Sequence, residues 1–203
     1  MRTGVQKVAR ELGEQTVGLG RTLARGQAAP RSVGSGGART LPEDGRDYPD
    51  LYAAVGVHSG LAHGAATDMP SAFAAMRSGG NVDLPARRAG RMVPTIVFHG
   101  DQDSTVHPRN GDQVLAHGTG RAANDDGDPS VATAASRGGR VAGGHAWTCT
   151  VQHDDEGRTR LEHWLIHGAG HAWAGGSARG SYTDPAGPDA SREMLRFFAQ
   201  HSL

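Results

Sequence analysis

Large apolar residues are scarce in this chain: Leu, Ile, Val and Phe together supply 32 of its 203 residues. That leaves material for one thin core and no more. Disordered chains share this poverty but normally carry a high net charge. Here 21 Lys and Arg balance 21 Asp and Glu, for a formal charge of +0, so only half of the disorder criterion is met. The same neutrality argues against a dedicated nucleic-acid binder and against a polybasic protein held at a membrane surface. A single cysteine, Cys149, excludes an internal disulfide framework and a thiolate zinc cage. No stretch approaches the roughly 18–20 apolar residues that a membrane span requires. Residues Met1 to Lys7 lead into no apolar run, so no signal peptide is expected.

The text changes character near Tyr48. Residues 1–47 hold no aromatic side chain and carry 8 basic against 5 acidic residues, or +3; the remainder has 13 against 16, or −3. Residues 5–24 read as a weak helix with Val5, Val8, Leu12 and Leu19 near one face, weakened by Gly13, Gly18 and Gly20 at about 1 kcal/mol each. Ala28 to Gly37 reads as loop, and the whole segment is expected to be poorly packed. Beyond it, Leu51–Val57 and Val93–Phe98 are short apolar runs ending at His58-Ser59-Gly60 and His99-Gly100, the pattern of buried strands. Ser71–Met76 and Asn110–His117 read as helices, and 118–145 as a surface excursion rich in Gly, Asp and Ser. Trp147–Gln152 and Arg160–Ile166 read as strands around the turn Asp154-Asp155-Glu156-Gly157. A last helix runs from about Ala190 to Gln200, its apolar face made by Met194, Leu195, Phe197 and Phe198, with Asp189 or Ser191 as N-cap. Strands alternating with helices predict α/β layering on a mostly parallel sheet.

In such sheets functional groups collect on loops beyond the carboxyl ends of strands. Two loops fit. Phe98-His99-Gly100-Asp101-Gln102-Asp103-Ser104-Thr105-Val106 comes directly after the clearest strand, and Ile166-His167-Gly168-Ala169-Gly170-His171-Ala172-Trp173 after another. The first offers a carboxylate, the second an imidazole between glycines. An Asp holding Nδ1–H of a His whose Nε2 acts as base is the orienting half of a nucleophilic triad, and acid before His is the chain order of α/β-hydrolases. A turn-forming Asp in a post-strand loop is the competing explanation.

The stretches YPDLYAAVGVHSGLAHGAATDMPSAFAAMRSGG (48–80), VPTIVFHGDQDSTVHPRNGDQV (93–114) and HWLIHGAGHAWAGGSARGSYTDPAGPDASREMLRFFAQH (163–201) resemble the carboxyl-terminal half of the poly(3-hydroxybutyrate) depolymerase-type esterases. The resemblance implies a partial α/β-hydrolase without its amino-terminal strands, and a serine ester hydrolase, often secreted, acting on polyhydroxyalkanoate or other small esters without a cofactor. It assigns Asp103 as the acid of the HG-x-x-D-x-x-V loop and His171 as the histidine of G-H-A-W. Trp173 would lie near the acyl- or polymer-binding surface, with packing as the alternative. Members also carry a G-x-S-x-G nucleophile elbow. Ser35 stands 14 residues before Pro49, about where that serine belongs, but within Val33-Gly34-Ser35-Gly36-Gly37; the first glycine is replaced by Val33, no strand is expected over Ala24–Ser32, and the following Ala38 to Gly45 contains Pro42. The expectation is therefore a non-native arm at 1–47, arising from a shifted frame or incorrect start, joined to an esterase region at 48–203. Its activity would be impaired by loss of the nucleophile region.

Other patterns are weaker. His167 and His171 have the i, i+4 spacing of zinc ligands on a helix, but two glycines lie between them and a strand precedes them, so no metal site is expected. Gly34 to Gly37 lacks the Lys-Ser/Thr of a phosphate loop. The alternative to an enzyme is a non-catalytic remnant acting through association, since missing strands would expose a sheet edge prone to pairing with another copy.

Overall fold

The computed structural model describes residues 31–33, 52–62, 64–80, 93–119 and 135–202. In chain order the elements are β1 (Arg31–Val33), β2 (Val55–His58), α1 (Met69–Ser78), β3 (Thr95–Gly100), α2 (Arg109–Thr119), β4 (Ala135–Arg140), β5 (Ala146–His153), β6 (Thr159–His167), β7 (Trp173–Ala174), β8 (Thr183–Asp184) and α3 (Ala190–Phe198). Strands β1 to β6 form one sheet in the order β1-β2-β3-β6-β5-β4. β1, β2, β3 and β6 run parallel; β5 and β4 continue as an antiparallel meander. The mostly parallel α/β sheet with flanking helices is thus observed. A two-stranded ribbon, β7-β8, was not expected, its strands being two residues each.

Two elements correct the sequence reading. Ala24–Ser32 was expected to offer no strand, yet Arg31–Val33 pairs in parallel register with Val55–Val57. Three residues carry too little pattern to identify a strand; pairing with β2 creates it. The excursion at 118–145 contains β4, whose Ala135–Arg140 pairs with Ala146–Val151. Its residues are mostly exposed and include Gly138 and Gly139, so local propensity argues against a strand and the β5 edge supplies the partner. The helix at 5–24 and Ser35 lie outside the described residues.

The sheet is covered on both faces. On one, Met194, Phe197 and Phe198 of α3 pack with Ile96, Phe98, Trp164 and Ile166. On the other, Ala75 of α1 and Val114 of α2 pack with Val55, Val57 and Val97. Strands buried on both faces read as continuous apolar runs, which explains why β2 and β3 were the most legible. Gly56 keeps β2 close to α3, since a Cβ there would lie 2.9 Å from Met194 Sδ. Buried Glu162 on β6 accepts the indole N–H of Trp164 and a guanidinium hydrogen bond from Arg196 of α3, so a charge inside the α3 layer is paired.

Both well-capped helices follow local chemistry. Asp68 and Ser71 form a capping box at α1. Asp189, rather than Ser191, caps α3 by accepting the N–H of Arg192 at 3.0 Å. Asp189→Ala is expected to cost about 1 kcal/mol, lowering the thermal midpoint by about 2–4 °C. Ser191→Ala leaves the cap intact, and any loss it shows in the same melt belongs to the Trp173 indole N–H that Ser191 Oγ accepts.

Candidate active site

Because β1, β2, β3 and β6 are parallel, their carboxyl ends share one rim. The loops after β3 and β6 emerge side by side there and are fastened together. Asp101 N–H donates to Ile166 O at 3.1 Å and Gln102 N–H to Ala169 O at 3.0 Å. Gly168 N–H donates to Asp101 Oδ1 at 2.7 Å. Gly168 has φ of 81°, a turn that favours glycine. Gly100 permits the approach itself, because a Cβ there would run into the backbone of Ala169 and lie 2.9 Å from Gly170 O. Gly100→Ala should therefore push the loops apart, at a cost of about 1–3 kcal/mol. Gly138→Ala, whose Cβ would meet nothing nearer than 3.4 Å, serves as the near-neutral comparison in urea unfolding.

The clamp brings Asp103 and His171 together: His171 Nδ1 lies 2.8 Å from Asp103 Oδ2. The Asp103 side chain is fully enclosed and that of His171 is 21% exposed. The other carboxylate oxygen, Oδ1, accepts the N–H groups of Thr105 at 2.9 Å and Val106 at 2.8 Å. Burial pushes the Asp103 carboxyl up, but the hydrogen bonds from His171 and these backbone donors outweigh it, leaving it below the usual carboxylate range. An ionised carboxylate only accepts, so Nδ1 of His171 carries the proton and Nε2 is the basic nitrogen of the neutral ring.

Buried histidines support this pair. His99 directs Nε2–H to Val106 O at 2.8 Å, with Asp103 Oδ2 at 3.5 Å, and burial holds its pKa down. His58 is stacked between Phe98 and Trp173, with centroids 5.8 and 4.8 Å away. Its Nε2 accepts Ala174 N–H at 2.9 Å, anchoring the segment after His171. Trp173, expected near an acyl- or polymer-binding surface or else in packing, packs in the core and donates its indole N–H to Ser191 Oγ at 3.1 Å.

His167, weighed as a zinc ligand with His171, faces other partners. Its Nδ1 lies 3.0 Å from Asp101 Oδ2 and its Nε2 2.9 Å from Thr148 Oγ1. His145 braces the same corner, with Nδ1 3.0 Å from His167 O and Nε2 2.8 Å from Asp184 Oδ2. Sequence reasoning missed Asp101, Thr148 and the structural work of His58 and His99. The carboxylate two residues before Asp103 was a readable hint; the partners on other strands were not.

The comparisons agree with this architecture. Residues 23–140 match the family described as esterase PHB depolymerase. That segment starts upstream of the change in character at Tyr48; it includes Ser35 and Asp103 and ends before His171. No curated protein sequence matches the chain. Among solved structures, an acetyl xylan esterase from Aspergillus awamori superposes with a TM-score of 0.56 at 15% identity, over 95% of this chain and 67% of that one, a likeness of fold. No helix of the described residues is long and apolar enough to cross a membrane. With more than half of its length matched by one family and a sheet of the same kind, this chain belongs to the PHB depolymerase family of esterases.

Proposed function

We propose that this esterase is of the serine type, cleaving small carboxylic esters or polyhydroxyalkanoate through Ser35, His171 and Asp103 without a metal or organic cofactor. The observation that carries this reading is the 2.8 Å contact between His171 Nδ1 and Asp103 Oδ2, at the rim where parallel strands end. Ser35 follows β1 by two residues in sequence, and β1 runs parallel to β2, an order of strand before serine that supports this reading. Ser35 Oγ would attack the ester carbonyl carbon while His171 Nε2 takes its proton. The same proton then goes to the departing alcohol, and water, deprotonated by His171, releases the acid from the acyl-serine. An extracellular site of action follows from the same family reading.

The test is hydrolysis of p-nitrophenyl butyrate by the chain and by Ser35→Ala and His171→Ala. Turnover lost in both variants supports the reading; turnover unchanged in Ser35→Ala removes Ser35 from it. The second reading is a non-catalytic remnant that associates with a second copy. Its support is that β1, among the described residues, pairs with β2 on one side only, leaving an edge of the kind that recruits strands. No hydrolysis above buffer together with a concentration-dependent dimer in sedimentation would favour it.

A further inference from the structure

We propose that Asp101, His167 and Thr148 form a second acid–imidazole–hydroxyl relay, in which Thr148 is an acceptor for acyl groups from small activated esters. The inference does not depend on Ser35 or on the Asp103–His171 pair.

The proton positions follow from the partners. Asp101 Oδ1 takes Gly168 N–H at 2.7 Å, and Oδ2 lies 3.0 Å from His167 Nδ1. Burial raises the Asp101 carboxyl, but the Gly168 and His167 hydrogen bonds outweigh it and keep it below the usual range. A carboxylate cannot donate, so Nδ1 holds the proton and Nε2 offers a lone pair. Thr148 Oγ1 stands 2.9 Å from Nε2 and donates to it when the ring is neutral. This is the order orienter, base, hydroxyl that activates a nucleophile, and both links fall within the reach required of a general base.

Strand register explains the meeting. Thr148 pairs with Leu165 and Ala146 with His167, so Thr148 and His167 are diagonal neighbours on one face of β5-β6. The opposite face carries Cys149, Trp164 and Ile166 into the α3 cluster. The relay is reachable: the His167 and Asp101 side chains are 41% and 30% exposed, and Thr148 is partly exposed.

In the reaction Thr148 Oγ1 forms a bond to the ester carbonyl carbon as its proton passes to His167 Nε2. The bond to the leaving phenol breaks, and the proton moves from His167 to the phenolate oxygen, giving O-acyl-threonine and free phenol. Gly168 N–H, the amide nearest in sequence to His167, is occupied by Asp101, and each absent oxyanion donor slows such chemistry by about 10²–10³-fold. The expected behaviour is one slow acylation rather than rapid turnover.

The experiment uses the full chain carrying His171→Ala, so that the first pair cannot contribute. It is incubated with p-nitrophenyl acetate and mapped by tryptic peptide mass spectrometry. Residues 141–158 form one tryptic peptide that contains Thr148 and no serine, and fragmentation separates Thr148 from Cys149 and Thr150. Acetyl is expected on Thr148, about 10²-fold faster than when His167→Asn is added, retained in Thr148→Ser and absent in Thr148→Val. No adduct on residue 148, or the same rate with His167→Asn, overturns the proposal. The Thr148→Val strand is isosteric, so a matching thermal melt shows that loss of label is not loss of fold.

Discussion

Replacing His171 with Ala is expected to reduce ester hydrolysis by on the order of 10⁶-fold, the loss seen when a triad's base is removed. The ring is 21% exposed and stands outside the packed clusters, but its removal also takes a donor from the enclosed Asp103 carboxylate, so the thermal melt is read beside the rate. Asp103→Asn makes a sharper test. Thr105 and Val106 N–H groups both point at Oδ1, so an amide there must turn its oxygen to them. Its NH2 then faces His171 Nδ1, which has to present a lone pair, and the ring proton moves to Nε2. The basic nitrogen is lost with the geometry intact, a change worth about 10⁴ in kcat. Rates with p-nitrophenyl butyrate, alongside thermal melts of both variants, check the expectation. Wild-type turnover in His171→Ala would detach this pair from the chemistry.

The second large effect is acid sensitivity centred on His58. Burial, followed by the nearby His99 and His171, lowers its pKa to about 3 against an ordinary value of 6.5. Its Nε2 is occupied as an acceptor of Ala174 N–H, so protonation there breaks a buried hydrogen bond. The folded-state value lies below the unfolded one, so between about pH 6.5 and 3 the unfolded chain binds the extra proton. Stability is complete above pH 6.5 and falls as the pH drops, by about 5 kcal/mol in total and about 3 kcal/mol by pH 4.5. That is a large share of a typical 5–15 kcal/mol. His99 and His163, also lowered by burial, act in the same direction. Asp103, depressed below its ordinary value, adds a loss only at still lower pH. Urea unfolding at pH 7.5 and 4.5 measures the total. His58→Phe keeps the ring stack, orphans Ala174 N–H at about 1–3 kcal/mol, and should flatten the pH dependence by its own share. An unchanged slope in that variant would place the acid sensitivity elsewhere.

Legibility along the chain tracked how local each signal was. The central strands were readable because Val55, Val57, Ile96, Val97 and Phe98 are buried, and burial on both faces leaves an apolar run in the text. Their bounds moved by a few residues: the run Leu51–Val57 became Val55–His58 and Val93–Phe98 became Thr95–Gly100. The helix near residue 190 was readable from apolar spacing and its Asp189 cap. β1 and β4 were unreadable, one too short and the other polar and glycine-containing, because sheet edges supply the reason for such strands to exist. Ser35 and the 5–24 helix lie outside the described residues.

The sequence alone determined the layered class, the two glycine-flanked loops and the candidacy of Asp103 and His171, since strand burial and turn chemistry are written in adjacent residues. Only the tertiary structure decided which partners those loops meet. The sequence separation of 68 between Asp103 and His171 is closed by parallel pairing of β3 with β6 and by the absence of a side chain at Gly100. The same pairing sends His167 to Asp101 and Thr148. Contacts between distant strands depend on register and on which face a side chain takes, and neither is encoded at any single position.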